Sequence, residues 1–171
     1  MAIKINDIPP EGLTLELSQQ LDLFDEGTAS TAVTAALKII PVGDGIIRLT
    51  GRVQARPELE CSRCLKRFPY SIDAELNIEA SPVAAMGAEP EHELTGGELE
   101  TDFYQGDEID PFEFVKEQLL ISVPMVPLHD PGCKGLCPTC GTDLNAATCG
   151  CSDRGQEGFG PFAELKDLFK K

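Results

Sequence analysis

Ile47-Arg-Leu-Thr-Gly-Arg-Val-Gln-Ala-Arg56 alternates without a break. Ile47, Leu49, Gly51, Val53 and Ala55 fall on one side, and Arg48, Thr50, Arg52, Gln54 and Arg56 on the other. A period of two belongs to an extended strand with one face in a core and the other in water. The same period appears upstream in Val33, Ala35, Leu37 and Ile39. It returns downstream in Phe68, Tyr70, Ile72, Ala74, Leu76 and Ile78, set against Ser71, Asp73, Glu75 and Asn77. Leu13, Leu15 and Leu17 add a further strand. Pro41-Val-Gly-Asp-Gly45 supplies turn residues between the first two strands of this series. Cys61-Ser-Arg-Cys64 lies between the last two, near a hairpin tip. The expectation is an antiparallel meander with one wet face.

Outside that sheet the pattern changes. Ser81 to Glu100 is rich in Ala, Gly, Pro and Glu and has little periodicity. With the residues up to 108 it reads as a flexible acidic loop. A helix is expected next, with Asp110 as cap, Pro111 in the first turn and Glu113 at the capping-box position. Its Phe112, Val115 and Leu119 share a face. Ile121 to Leu128, with Pro124 and Pro127, reads as extended. A terminal helix from Pro161 to Phe169 presents Phe162, Leu165, Leu168 and Phe169. The fold class is therefore α+β: an antiparallel sheet meander, one or two packed helices and a Cys-rich, zinc-binding C-terminal segment. Residues 1–80 form the β region, 81–108 the acidic loop and 109–171 the helix, cysteine segment and terminal helix, within one domain.

The chain has 171 residues, 42% of them hydrophobic, which is enough for a core. Met1-Ala-Ile-Lys-Ile-Asn-Asp7 does not resemble a signal peptide, and no apolar run approaches the ~18 residues that span a bilayer. A cytoplasmic protein is expected, where thiols stay reduced. Seven cysteines, an odd number, then argue for metal or free thiols over a disulfide framework. Cys137-Pro-Thr-Cys140-Gly141 has the form of a metal knuckle, because a glycine after the second cysteine permits a tight turn. With Cys149 and Cys151 it offers four thiolates to one tetrahedral zinc ion, a closed and hence structural site. The Cys149-Gly-Cys151 half is the cramped one, and free thiols on a loop are the plain alternative.

Cys61, Cys64, Cys133 and His129 remain. Together they make a second set of four ligands for a second ion. His129 also reads as a surface histidine, and Cys133 as a substitute for Cys149 or Cys151. His92 sits among acids and reads as solvated. A redox role for Cys61 and Cys64 has Arg63 in its favour as a thiol-acidifying neighbour. The βαβ setting of thioredoxin-type pairs is absent. No nucleophile–base pair, phosphate-binding glycine loop or deaminase pattern stands in the sequence, so no catalytic residue and no small-molecule substrate are expected.

The formal net charge is −15, which argues against a general nucleic-acid binder. The charge is nonetheless polarised. Between Arg48 and Arg67 stand six bases (Arg48, Arg52, Arg56, Arg63, Lys66, Arg67) and two acids. Between Ala84 and Glu113 stand ten acids and no base. Arg48, Arg52 and Arg56 recur every fourth residue on one strand face, about 13 Å apart at strand rise. With Arg63, Lys66 and Arg67 they form a candidate phosphate-binding ribbon. The alternative is that they pair with the protein's own acids, such as those of the 84–113 segment.

Several stretches, taken in order, resemble the YceD family of bacterial and plastid proteins associated with accumulation of large-subunit 23S ribosomal RNA. They are Leu59-Glu-Cys-Ser-Arg-Cys64, Asp110 with the helix after it, Val126-Pro-Leu-His-Asp130, Cys133-Lys-Gly-Leu-Cys-Pro-Thr-Cys-Gly-Thr-Asp-Leu-Asn145 and Pro161-Phe-Ala-Glu-Leu165. The likeness runs from about Glu60 to Leu168. It implies a non-enzymatic ribosome-biogenesis factor acting in synthesis, processing or stability of that RNA. It also implies that Cys61, Cys64, His129, Asp130 and Cys133, shared more widely in the family, matter more than the later cysteines. The partners expected are 23S rRNA or its precursor and a basic large-subunit ribosomal protein, with no membrane. Two other readings stay open: an acidic adaptor that binds basic proteins alone, and a thiol-redox or metal-handling protein using Cys61 and Cys64.

Overall fold

The computed structural model describes residues 2–24, 30–83 and 101–153. Its centre is a five-stranded sheet in the order β2-β3-β4-β7-β8. The strands are β2 (Leu13–Leu21), β3 (Thr31–Gly43), β4 (Ile46–Ala55), β7 (Ile72–Pro82) and β8 (Thr101–Tyr104). The first four form the expected antiparallel meander. Leu13 pairs with Ile39, Ile39 with Leu49 and Leu49 with Ile78, so the apolar positions read in sequence share one face. Leu37, Ile39, Ile47, Leu49, Val53 and Leu76 are almost fully buried there. Side chains of that size contribute roughly 1.5–3 kcal/mol each on burial. The tight β3–β4 connection takes positive φ at Gly43, Asp44 and Gly45, as the Gly-Asp-Gly sequence suggested.

Three expectations are corrected. First, the strand expected from Phe68 to Ile78 is broken after Pro69. Phe68 belongs to a separate two-stranded ribbon of β5 (Glu58–Glu60) and β6 (Arg67–Pro69). Pro57 and Pro69 cannot donate to a ladder, so the chain leaves the main sheet at one and returns after the other. The β5–β6 ribbon carries Cys61–Cys64 at its tip. Second, the acidic 81–108 segment is not loop throughout. Ser81 and Pro82 close β7, and Thr101–Tyr104 is β8, which adds parallel to β7 with Glu79 opposite Thr101. Glu108–Ile109 is β9, antiparallel to β1 (Ile3–Lys4). Residues 84–100, with His92, lie outside the described residues. So does the terminal helix expected at 161–169.

Third, the helix outlasts its expected end. α1 runs Pro111–Ser122, so Ile121 and Ser122 are helical and the chain turns extended at Val123, ahead of Pro124. Asp110 caps it: its side chain accepts from Phe112 N at 3.0 Å. Pro111, Phe114, Val115 and Leu119 are the buried residues, while Phe112 packs at the margin. α1 lies against β7 and β4 and closes the core. Asp110→Ala is expected to cost about 1 kcal/mol of unfolding free energy, measured by urea denaturation. Among the described residues no helix is long and apolar enough to cross a membrane.

Candidate metal centres

The β5–β6 tip is a tight knuckle. Leu65 N donates to Cys61 O at 2.9 Å and Cys61 N to Lys66 O at 2.9 Å. This turn requires a left-handed residue, and Leu65 supplies it at φ 60°. The segment after α1 then folds over the tip. Ser62 N donates to Pro127 O, Leu136 N to Arg63 O, and Arg63 Nη1 to Cys133 O at 2.8 Å. Asp130 turns the chain before Cys133 by accepting Gly132 N at 2.6 Å. Gly135 is in contact with Arg63: a Cβ there would stand 2.9 Å from Arg63 O.

These contacts bring together Cys61, Cys64, His129 and Cys133, whose ligand atoms all lie within 4.8 Å of one another. Cys61 Sγ is 3.8 Å from Cys133 Sγ, and Cys64 Sγ is 3.4 Å from His129 Nδ1. A tetrahedral ion with bonds of ~2.3 Å to sulfur has an edge of about 3.8 Å, so the donor set fits such an ion. Phe68, Leu128 and Leu136 pack around the three buried sulfurs. The Phe68 ring meets His129 edge-on, with centroids 6.4 Å apart.

The second cluster is Cys137, Cys140, Cys149 and Cys151, again with donor atoms within 4.8 Å of one another. It repeats the first knuckle bond for bond. Gly141 N donates to Cys137 O and Cys137 N to Thr142 O, with Gly141 at φ 73°. The glycine was legible in the sequence. Leu65 in the matching place was not, because a leucine gives no sign of positive φ. This cluster is more open: Cys137 is buried, but Cys140 is exposed and Cys149 and Cys151 are half-buried. Cys133 joins the first cluster and not this one.

Within each cluster the thiols are pushed in opposite directions. Burial pushes the Cys61 thiol up, but hydrogen bonds from His129 and from the Arg63 and Cys64 backbone outweigh it and bring it to about 5. For Cys64 a bond from the Lys66 backbone pulls down. Burial and the neighbouring Cys133 and Cys61 sulfurs win, and the thiol is pushed up to about 11. Thr142 holds Cys140 at about 6, and the Cys140 sulfur with burial pushes Cys151 to about 12. Crowded sulfurs cannot all carry charge unless a cation sits among them. An ion bound in either cluster would therefore displace protons.

The candidate RNA-binding cations divide into four groups. Arg48 is ion-paired with Glu79. Arg52 forks onto Asp73, with Nη2 2.7 Å from Oδ2, and this pairing holds the Asp73 carboxyl below its ordinary range. Both acids lie on β7, directly or diagonally across the ladder. Arg63 is exposed and clamps the first Cys/His cluster by donating to Cys133 O. Arg67 stands 3.8 Å from Glu58 in an exposed pair, which holds it weakly. Arg56 and Lys66 make no ion pair with a described residue. A separate depression of about 370 Å³ is lined by Asp102, Glu108, Asp110, Glu113 and Glu117. There burial and the charges of Asp102 and Glu113 raise the Glu117 carboxyl. Sequence reasoning missed Arg63 as a clamp, Gly135, and Asn145, whose Nδ2 lies 3.4 Å from Cys133 Sγ. A Thr-Asp-Leu-Asn run carries no periodicity that marks its last member.

The geometry defines a class of protein: a mixed sheet with one packed helix, and two interlocked Cys/His knuckles that could each hold a metal ion. The chain belongs to the YceD family; the family model described as "Large ribosomal RNA subunit accumulation protein YceD" matches residues 49–169. It is 28% identical over 149 residues to a chloroplastic YCED homolog 1 of Zea mays, covering 74% of this chain and 50% of that one. It is 31% identical over 84 residues to the YceD protein of Haemophilus influenzae, covering 49% and 46%. An uncharacterized protein of Mycobacterium tuberculosis is 28% identical over 109 residues, covering 63% and 49%. The chain thus spans about half the length of the curated relatives it matches. No solved structure matches.

Proposed function

We propose that the protein is a non-catalytic assembly factor that promotes accumulation of the large-subunit ribosomal RNA. It would do so by contacting 23S rRNA or its precursor and a basic large-subunit ribosomal protein in the cytoplasm. Both clusters hold zinc in this reading, because closed sets of four thiolate or imidazole donors suit that ion and leave no open coordination position. The zinc supplies rigidity: it fixes the β5–β6 tip and the segment folded over it. The observation that carries the reading is that this stapled tip presents cations, Lys66 and Arg67 with Arg56 at the ribbon's base, on a chain of net charge −15. Arg48 and Arg52, paired with acids of β7, and Arg63, donating to Cys133 O, play the smaller part in RNA contact in this reading. Phe68 packs on His129 and the sulfurs and Tyr70 on the main core, so phosphate contact is favoured over base stacking at the tip. The acid-lined depression suits a lysine or arginine of the protein partner.

The test is binding of the zinc-loaded protein to large-subunit precursor RNA across a salt series. Arg56→Glu/Lys66→Glu/Arg67→Glu is expected to weaken binding at least tenfold and to lower the salt slope by about one per cation removed. Arg48→Ala/Arg52→Ala should change it little. Equal binding by the triple variant, with its fold intact, would refute RNA contact. Nuclease-resistant capture of a basic ribosomal protein by that same variant would then favour the acidic adaptor.

A further inference from the structure

The chain from Cys133 to Cys151 serves both clusters. Cys133 completes the first, and Cys137, four residues on, begins the second. Between and beyond them the chain doubles back. Leu136 bridges to Asp143, and Leu144 N donates to Gly135 O at 2.9 Å. This return lays Asn145 beside Cys133. Its Oδ1 accepts Lys134 N at 2.8 Å, and its Nδ2 donates to Cys133 Sγ at 3.4 Å and to Asp143 Oδ1 at 2.7 Å. A side-chain amide has two N–H groups, so sulfur and carboxylate can each receive one. Asp143 also accepts Asn145 N at 2.9 Å, which fixes the residue from a second direction.

We propose that Asn145 is a positioning residue that couples the two clusters. It steadies the Cys133 sulfur as a ligand of one divalent, thiophilic ion from a turn that the other ion folds. The inference rests on the reading that both clusters hold zinc. A hydrogen bond to a ligating sulfur stabilises its charge and fixes its direction. Outer partners of this kind are worth about 10–100-fold in metal affinity. The knuckle of the second cluster sets where Asn145 sits. Its ion must therefore strengthen the first site, and by linkage the first ion strengthens the second by the same factor.

The test measures zinc affinity of the first cluster in the full-length protein by competition with a chromophoric chelator. Asn145→Ala is expected to lower that affinity about tenfold or more. Cys140→Ser, which disables the second cluster, should lower it by a comparable factor. The double variant should lose no more than the weaker of the two singles, because both changes break one link. Asn145→Asp keeps the acceptor for Lys134 N but sets a carboxylate against the sulfur, so it should bind no better than Asn145→Ala. Recovery of the parent affinity by Asn145→Asp would reduce Asn145 to a turn former and overturn the proposal. Losses that multiply in the double variant would overturn it too, by making the clusters independent. Fewer than two zinc ions in the parent protein would bring down the zinc reading itself, and this inference with it.

Discussion

Cys61→Ser is expected to remove one zinc ion per chain and to release residues 123–153 from the sheet. Among the described residues that segment has no strand of its own beyond the Leu136–Asp143 bridge and no α-helix. Its apolar anchorage is Leu128 and Leu136 against Phe68 and the sulfurs, with Val123 at the edge of the main core. Burial of two or three such side chains is worth a few kcal/mol at roughly 25 cal/mol per Å². Structural zinc contributes on the order of 10 kcal/mol. The metal term wins, so order in this segment should follow the ion. Elemental analysis and amide hydrogen exchange check it. Ser62, Leu65, Cys133 and Leu136 should lose protection, while the β3–β4–β7 ladder keeps its own. Unchanged zinc content and unchanged protection at those four amides would show that the cluster is not the staple.

Gly51→Ala should be the most damaging single methyl addition in the sheet. A Cβ at Gly51 would stand 2.1 Å from Ala36 O and 2.9 Å from both Cα and Cδ2 of Leu37. Two of those three atoms are backbone of β3, so no side-chain rotation relieves the overlap. Moving β3 away breaks the ladder in which Leu37 and Leu76 flank Gly51. Overpacking of this kind costs about 3 kcal/mol or more. For a chain of this size that lowers the thermal midpoint by roughly 6–12 °C. Thr50→Ala, one residue away and off the core face, should stay within about 0.5 kcal/mol. Equal midpoints for the two variants would mean that β3 and β4 are not in this register.

Much of this was open to reading because the period of two is strict. Leu13 to Leu17, Val33 to Ile39 and Ile47 to Ala55 each place their apolar residues on one face, and the structure buries that face. Asp110-Pro111 announced the helix start for a local reason, a cap and a fixed φ. The helix end was misread because Ile121 and Ser122 carry no breaker themselves; the restraint comes from Pro124 acting on Val123. The broken third strand was misread because Phe68 and Tyr70 continue the alternation across Pro69, although their backbone does not continue in the same ladder.

For the candidate sites, residue type and residue arrangement separate cleanly. Seven cysteines and His129 declared metal-ligand chemistry, and Cys137-Pro-Thr-Cys140-Gly141 declared one knuckle. Spacing left Cys133 free to join either cluster. The clamp of Arg63 on Cys133 O and the return of Asn145 onto its sulfur decide for the first. In the same way, Arg48 and Arg52 had the spacing of a phosphate ribbon, but β7 lies antiparallel beside β4 and sets Glu79 and Asp73 against them.

The sequence by itself determined the first strands of the sheet, the helix start, the supply of candidate metal ligands and the polarity of charge, because each rests on neighbours a few residues apart. Tertiary structure alone decided which thiols meet, which cations find acidic partners, that β8 joins parallel, and that the chain from Cys133 to Cys151 serves both clusters. Those depend on pairs tens of residues apart, such as Cys61 and Cys133. Their meeting is set by chain reversal and packing, and no local pattern records it.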